Sequence, residues 1–122
     1  MNDILLFGAA AFLAVWGVAH LVKTRDVVSG FGLTTVDDRR VVTMEWIGEG
    51  LTVVFLAGLI TTVALAGLGT TGRAVLWLSV VMLNVMSAVS LATGFRVDVI
   101  AYRLCPVIFT GTSLLVVAEL LL

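Results

Sequence analysis

The segment GLTVVFLAGLITTVALAGLGTTG, Gly50–Gly72, holds no charged side chain. A helix rising ~1.5 Å per residue over such a stretch crosses the ~30 Å hydrocarbon core of a bilayer. With Trp46 and Ile47 in front of it, it forms a span at about residues 46–67. Working outward, Ala74–Phe95 is also uncharged and supplies a span at about 74–93. Ile4–Val22 supplies one at 4–22, and Val99–Leu122 one at about 99–120. In that last span Arg103 and Glu119 lie near enough to the ends for their polar tips to reach water. No segment alternates with the period of a barrel strand, and backbone groups in lipid must bond internally, so the spans are helices. The expected fold is all-α: an integral membrane four-helix bundle, antiparallel and up-down-up-down, forming a single transmembrane domain over residues 1–122.

Composition agrees. Of 122 residues, 61% are hydrophobic and 12% charged, with a mean hydropathy of +1.19. A water-soluble domain of this size has too high a surface-to-volume ratio to hide that much apolar surface. The net charge of −1 offers no basic excess for nucleic acid. Cys105 is the sole cysteine, so an internal disulfide and a Cys-x-x-Cys site are both excluded, and it reads as a small buried hydrophobe. The start Met1-Asn2-Asp3 carries an acid where a signal peptide has Lys or Arg, and the apolar stretch is longer than a signal core. The first segment therefore reads as a retained span.

Orientation follows from Lys and Arg. Lys23, Arg25, Arg39 and Arg40 lie in the first connection, Arg96 lies in the third with Arg103 just inside, and the second has only Arg73. This bias places the first and third connections in the cytoplasm and both termini on the non-cytoplasmic side of the cell (inner) membrane. The connections differ in character. Gly67–Arg73 reads as a tight turn, and Thr93–Arg96 as another in which Gly94 suits a helix C-cap. The first connection is an interfacial segment at 24–45: a helical turn around Asp26–Val28, a stop at Gly30-Phe31-Gly32, and a helix start with Thr35 as N-cap and Asp37 and Asp38 in the first turn. Run unbroken from Val36 to Gly67, that helix is ~48 Å long, so its first turns lie in the headgroup region.

Polar residues at membrane depth are where function leaves a trace. His20 sits near the cytoplasmic end of the first span, Glu45 and Glu49 four residues apart near the same end of the second, and Asn84 near the middle of the third with Ser87 and Ser90 beyond it. Tyr102 and Arg103 open the fourth, where Pro106 frees the carbonyl of Tyr102 from its helical bond. All four helices thus carry their most polar groups in the cytoplasmic half. Each residue also has a plainer role. His20 and Arg103 serve as interfacial anchors, Glu45 lies in headgroup water, Asn84 is interhelical glue, and Met82 and Met86 are packing residues. Glu49, between Gly48 and a long uncharged run, calls for a partner, with Arg103 or His20 as candidates. The candidate polar cluster is His20, Glu49, Asn84, Ser87, Tyr102 and Arg103. One histidine with no nearby cysteine does not build a zinc site, and no metal is expected. Bis-histidine haem, a nucleotide-binding glycine loop and a nucleophile triad are absent from the sequence.

The run Gly17-Val18-Ala19-His20-Leu21-Val22-Lys23, the stretch ending at Gly30-Phe31-Gly32, the span opening with Glu49-Gly50, and Leu56-Ala57-Gly58-Leu59 resemble the DoxX-like group of small four-helix membrane proteins. The polar stretch Asp37–Arg40 departs from that pattern. The resemblance implies a membrane subunit of a quinone-linked oxidoreductase or redox-stress complex, and it transfers no catalytic residue. The leading functional expectation is a non-catalytic subunit or a lipid- or quinone-binding module that forms a homo-oligomer or joins a larger membrane complex. Two alternatives stand beside it. One is an enzyme or redox component acting on a lipophilic substrate through Glu49, His20 and Tyr102. The other is an oligomeric channel or proton-coupled carrier using Glu49 and Asn84.

Overall fold

Thr35 accepts a hydrogen bond from the Asp38 amide at 3.0 Å, and the extended backbone at Thr35 turns there into an unbroken helix. The computed structural model describes residues 3–122. Its helices are α1 (Ile4–Val22), α2 (Thr24–Gly30), α3 (Val36–Ala66), α4 (Thr70–Val89) and α5 (Ile100–Leu121). All but α2 are long and apolar enough to cross a membrane. At 31 residues, α3 is ~46 Å long and overruns the bilayer core as expected.

Each long helix buries one stripe. Leu6, Ala9 and Leu13 on α1 face Val53, Leu56 and Ile60 on α3, with Leu76 and Leu83 on α4 and Phe109 and Val116 on α5 completing the core. The three- and four-residue spacing of these positions is that of one helical face. The helices form a ring in which α1 packs on α3 and α5, and α4 packs on α3 and α5, while the diagonal pairs stand apart. The α1–α3 contact is the most extensive and the α3–α4 contact the least. The close approach of α1 to α3 depends on Gly17 and Gly50. A β-carbon on Gly17 would lie 2.7 Å from Val54 Cγ2 and 3.1 Å from its backbone nitrogen, and one on Gly50 would lie 2.8 Å from Leu21.

Three local expectations are corrected. The turn between α3 and α4 is shorter than Gly67–Arg73, because Gly69 caps a helix that starts at Thr70. Arg73 therefore lies in the first turn of α4 and donates to the Leu120 carbonyl at 2.8 Å. At the other end α4 passes into a π-helical turn, Ser90–Gly94, which carries the chain toward α5. Gly94 is not a left-handed cap. Positive φ among the described residues occurs only at Gly32 and Gly67, and the missing side chain at Gly94 instead makes room for Tyr102, whose Cδ1 would stand 2.8 Å from a β-carbon there. Lastly, Glu119 does not reach water. It is buried in the last turn of α5, and its Oε2 has no hydrogen-bond partner among the described residues.

Candidate functional site

Three helices each bring an aromatic and a polar side chain, three or four residues apart, to one corner of the bundle at its Lys- and Arg-rich end. These are Trp16 and His20 on α1, Trp46 and Glu49 on α3, and Tyr102 and Cys105 on α5. Such spacing puts both members of each pair on the same helical face.

The imidazole of His20 stacks on the indole of Trp46, and that indole donates from Nε1 to the His20 carbonyl at 2.7 Å. Tyr102 leans on Trp46 at a tilt, with ring centroids 5.2 Å apart, and makes an edge-type contact with Phe31 at 5.8 Å. The Cys105 thiol lies beside the Glu49 carboxylate and the Trp16 indole. His20 Nε2 stands 3.8 Å from Glu49 Oε2. That separation is within ion-pair range but long for a direct hydrogen bond. Neither ring nitrogen of His20 has a hydrogen-bond partner, nor does the Trp16 indole nitrogen, although all three are buried. A buried polar atom left without a partner costs about 1–3 kcal/mol, so such atoms in one place point to something that satisfies them.

Glu49 joins this corner to the outside. Its side chain is 26% exposed, and the exposed part lines a groove of about 580 Å³ between α3 and α4. Trp46, Thr52, Met82, Met86 and Tyr102 also line that groove. It opens on the outer face of the bundle, where the ring is least tightly packed. Two carboxyls, Glu49 and the more exposed Glu45, and one phenol set among aromatic and thioether walls suit a flat, largely apolar molecule that carries a few polar atoms.

The six residues expected to form one cluster divide into three places. His20, Glu49 and Tyr102 gather at this corner. Asn84 and Ser87 belong to the seam between α4 and α5. Asn84 Nδ2 donates to Ser113 Oγ at 2.7 Å and to the Val80 carbonyl at 2.8 Å, and Ser87 meets Thr110 at 2.8 Å and the Pro106 carbonyl at 3.2 Å. Arg103 leaves the interior altogether and pairs with Asp98 at 3.1 Å, because one residue beyond Tyr102 the helix has turned by about 100°. Glu45 is exposed, as expected. Sequence reasoning missed Trp16, Trp46 and Cys105 as members of the corner. Their shared three- and four-residue offsets from His20, Glu49 and Tyr102 are the signal that identifies them.

No family model, curated protein or solved structure matches this chain.

Proposed function

We propose that this chain is a membrane-embedded binding module for a flat, lipophilic ligand of the quinone class, acting as a subunit of an assembly rather than as a free-standing catalyst. The observation that carries the reading is the position of Glu49, one side of which faces the groove on the outer face of the bundle while the other faces the unpartnered imidazole of His20. A quinone presents two carbonyl acceptors on a planar ring. The Tyr102 hydroxyl is a donor at the groove wall, and a protonated Glu49 carboxyl would be a second. Trp46 and the methionines give the ring apolar and aromatic surface, and the opening between α3 and α4 lets a molecule dissolved in the bilayer enter sideways. The likeness to the DoxX-like group points the same way.

In this reading the Lys- and Arg-rich end faces the cytoplasm, both termini face outward across a cell membrane, and the apolar outer faces of the helices associate with further copies or with a partner protein. A photoreactive quinone tests the ligand. With the protein reconstituted in bilayers, labelling is expected on Thr52, Met82 or Met86 and is displaced by excess unlabelled quinone. Labelling spread over Val15, Leu78 and Val107, which are exposed away from the groove, and unaffected by competitor, would show only partitioning into lipid and would overturn the proposal.

A further inference from the structure

A second site lies on the opposite side of α1's cytoplasmic end. Three of the six Lys and Arg side chains at this end of the bundle have acidic partners: Lys23 with Asp26 at 3.3 Å, Arg40 with Asp37 at 3.7 Å, and Arg103 with Asp98 at 3.1 Å; Arg96 has none among the described residues and lines no groove. Arg25 and Arg39 have none among the described residues, and both line one groove of about 510 Å³ between the end of α1, α2 and α3. No carboxylate lines that groove. Two arginines, one from the short α2 and one from the first turn of α3, thus line a single groove with no acid in its lining.

The rest of the groove says what kind of anion it holds. Its floor is apolar, made of Leu21, Val22 and Val28. Val22 also lines a second, shallow groove, headed by the Asp26-paired Lys23, that runs along α1 past Ala19, Val18 and Val15 to Ala14. Ala14 to Val22 spans ~12 Å of helix, the depth reached by the upper part of an acyl chain. Two cationic side chains beside an apolar track are shaped for an amphiphile. We propose that Arg25 and Arg39 seat the phosphate of an anionic phospholipid, whose acyl chain lies along the Val22–Ala14 face of α1. Arg suits this role because its planar fork donates two parallel hydrogen bonds to phosphate oxygens. The seat is separate from the Glu49 groove, so α2 is held down on the membrane surface whether or not that groove is filled.

Native mass spectrometry of the delipidated protein tests this with phosphatidylglycerol, phosphatidylcholine and inorganic phosphate as probes. The wild type is expected to retain phosphatidylglycerol about ten-fold or more over phosphatidylcholine, since a basic residue near an anionic surface contributes roughly 1 kcal/mol. Arg25→Gln and Arg39→Gln should each lower that preference about five-fold. Arg96→Gln removes the same charge from a residue outside the groove and should leave the preference unchanged. Both groove arginines are exposed, so neither substitution disturbs the core. Equal loss in all three variants would mean bulk electrostatics, and displacement of the lipid by millimolar phosphate would mean that the free anion suffices. Either result overturns the site.

Discussion

His20 and Trp46 hold each other twice: their rings stack with centroids 3.6 Å apart and planes 11° from parallel, and the Trp46 indole donates to the His20 carbonyl at 2.7 Å. The stack fixes the imidazole plane, and the hydrogen bond fixes the height of α1 against α3. With Gly17 and Gly50 removing bulk at the same crossing, the corner is set by backbone-level contacts. His20 is therefore presented to Glu49 in one orientation. That rigidity is what a polar group needs if it is to serve a ligand rather than its own fold.

Trp46→Phe keeps an aromatic face on His20 but removes the donor. Loss of one buried hydrogen bond predicts a destabilisation of about 1–2 kcal/mol. Trp46→Ala also empties the stack and should cost about 3–5 kcal/mol. Unfolding titrations in mixed micelles measure both; no loss in Trp46→Phe would show that the indole nitrogen contributes nothing, and equal losses would show that the stack adds nothing beyond it.

The glycines of α1 and α3 should rank by what lies over them. Gly17→Ala places a methyl against backbone of α3 that has nowhere to go and should destabilise by about 1–3 kcal/mol. Gly50→Ala meets Leu21 Cδ2 and Cγ at 2.8 and 2.9 Å and the stacked His20 ring at 3.2 Å, and should cost a similar amount. At Gly58 nothing lies within 4 Å, so Gly58→Ala should be neutral or stabilising by up to about 1 kcal/mol through its helix propensity. The same titrations read the order, and a Gly58→Ala loss matching that of Gly17→Ala would contradict this account of the crossing.

The parts legible in the sequence were those set by local chemistry. Charge-free runs define the four spans because lipid tolerates little else, and Thr35 with its two following acids announces the start of α3 wherever the rest of the chain lies. Parts that depend on a neighbouring helix were not legible. Tyr102 and Arg103 are adjacent and both polar, yet one faces the corner and the other faces Asp98, and only the placement of α5 decides which. Glu119 looks like an end-of-helix charge until the packed bundle buries it. The start of α4 was hidden because Gly69-Thr70-Thr71-Gly72 has turn composition, although a helix N-terminus accepts such residues equally well. The π-helical turn has no compositional mark at all.

Asn84 and Ser113 should behave as a structural pair. Their 2.7 Å hydrogen bond crosses from α4 to α5. In membrane proteins such bonds couple by ~0.6 kcal/mol, with a ceiling of ~1.7. A double-mutant cycle with Asn84→Leu and Ser113→Ala should return a coupling in that range and leave labelling in the Glu49 groove unchanged. Loss of labelling in the single Asn84→Leu variant, with the fold intact, would bring Asn84 back into the ligand site.

Topology follows from the distribution of Lys and Arg and can be tested independently of function. With Cys105→Ala as background, cysteines introduced as Thr34→Cys and Gly69→Cys should react with a membrane-impermeant thiol reagent from opposite sides, Gly69→Cys from outside in intact cells. Reporter fusions after Leu122 should read as non-cytoplasmic. A cytoplasmic signal there would reverse the proposed orientation and leave the fold as it is.

The most telling comparison joins Glu49 and His20. Glu49→Gln keeps the size and most of the hydrogen-bonding capacity of the side chain, so stability should change by less than about 1 kcal/mol. If the carboxyl is the group that meets the ligand, quinone affinity should nonetheless fall about five-fold, since an amide N–H is a weaker donor than a carboxylic O–H and a loss of about 1 kcal/mol is about five-fold. His20→Phe separates the two roles of the imidazole. Phenylalanine can still stack on Trp46, and it removes two buried nitrogens that have no partner in the protein. Replacing unpartnered polar atoms by carbon is neutral to stabilising, so this variant should be at least as stable as the wild type within about 1 kcal/mol. Its ligand affinity should nevertheless drop, because Glu49 then faces a ring that can neither give nor accept a proton. Stability gained with affinity lost identifies His20 as a functional group. Loss of stability with affinity unchanged would make it a packing residue, and the corner would then be architecture alone.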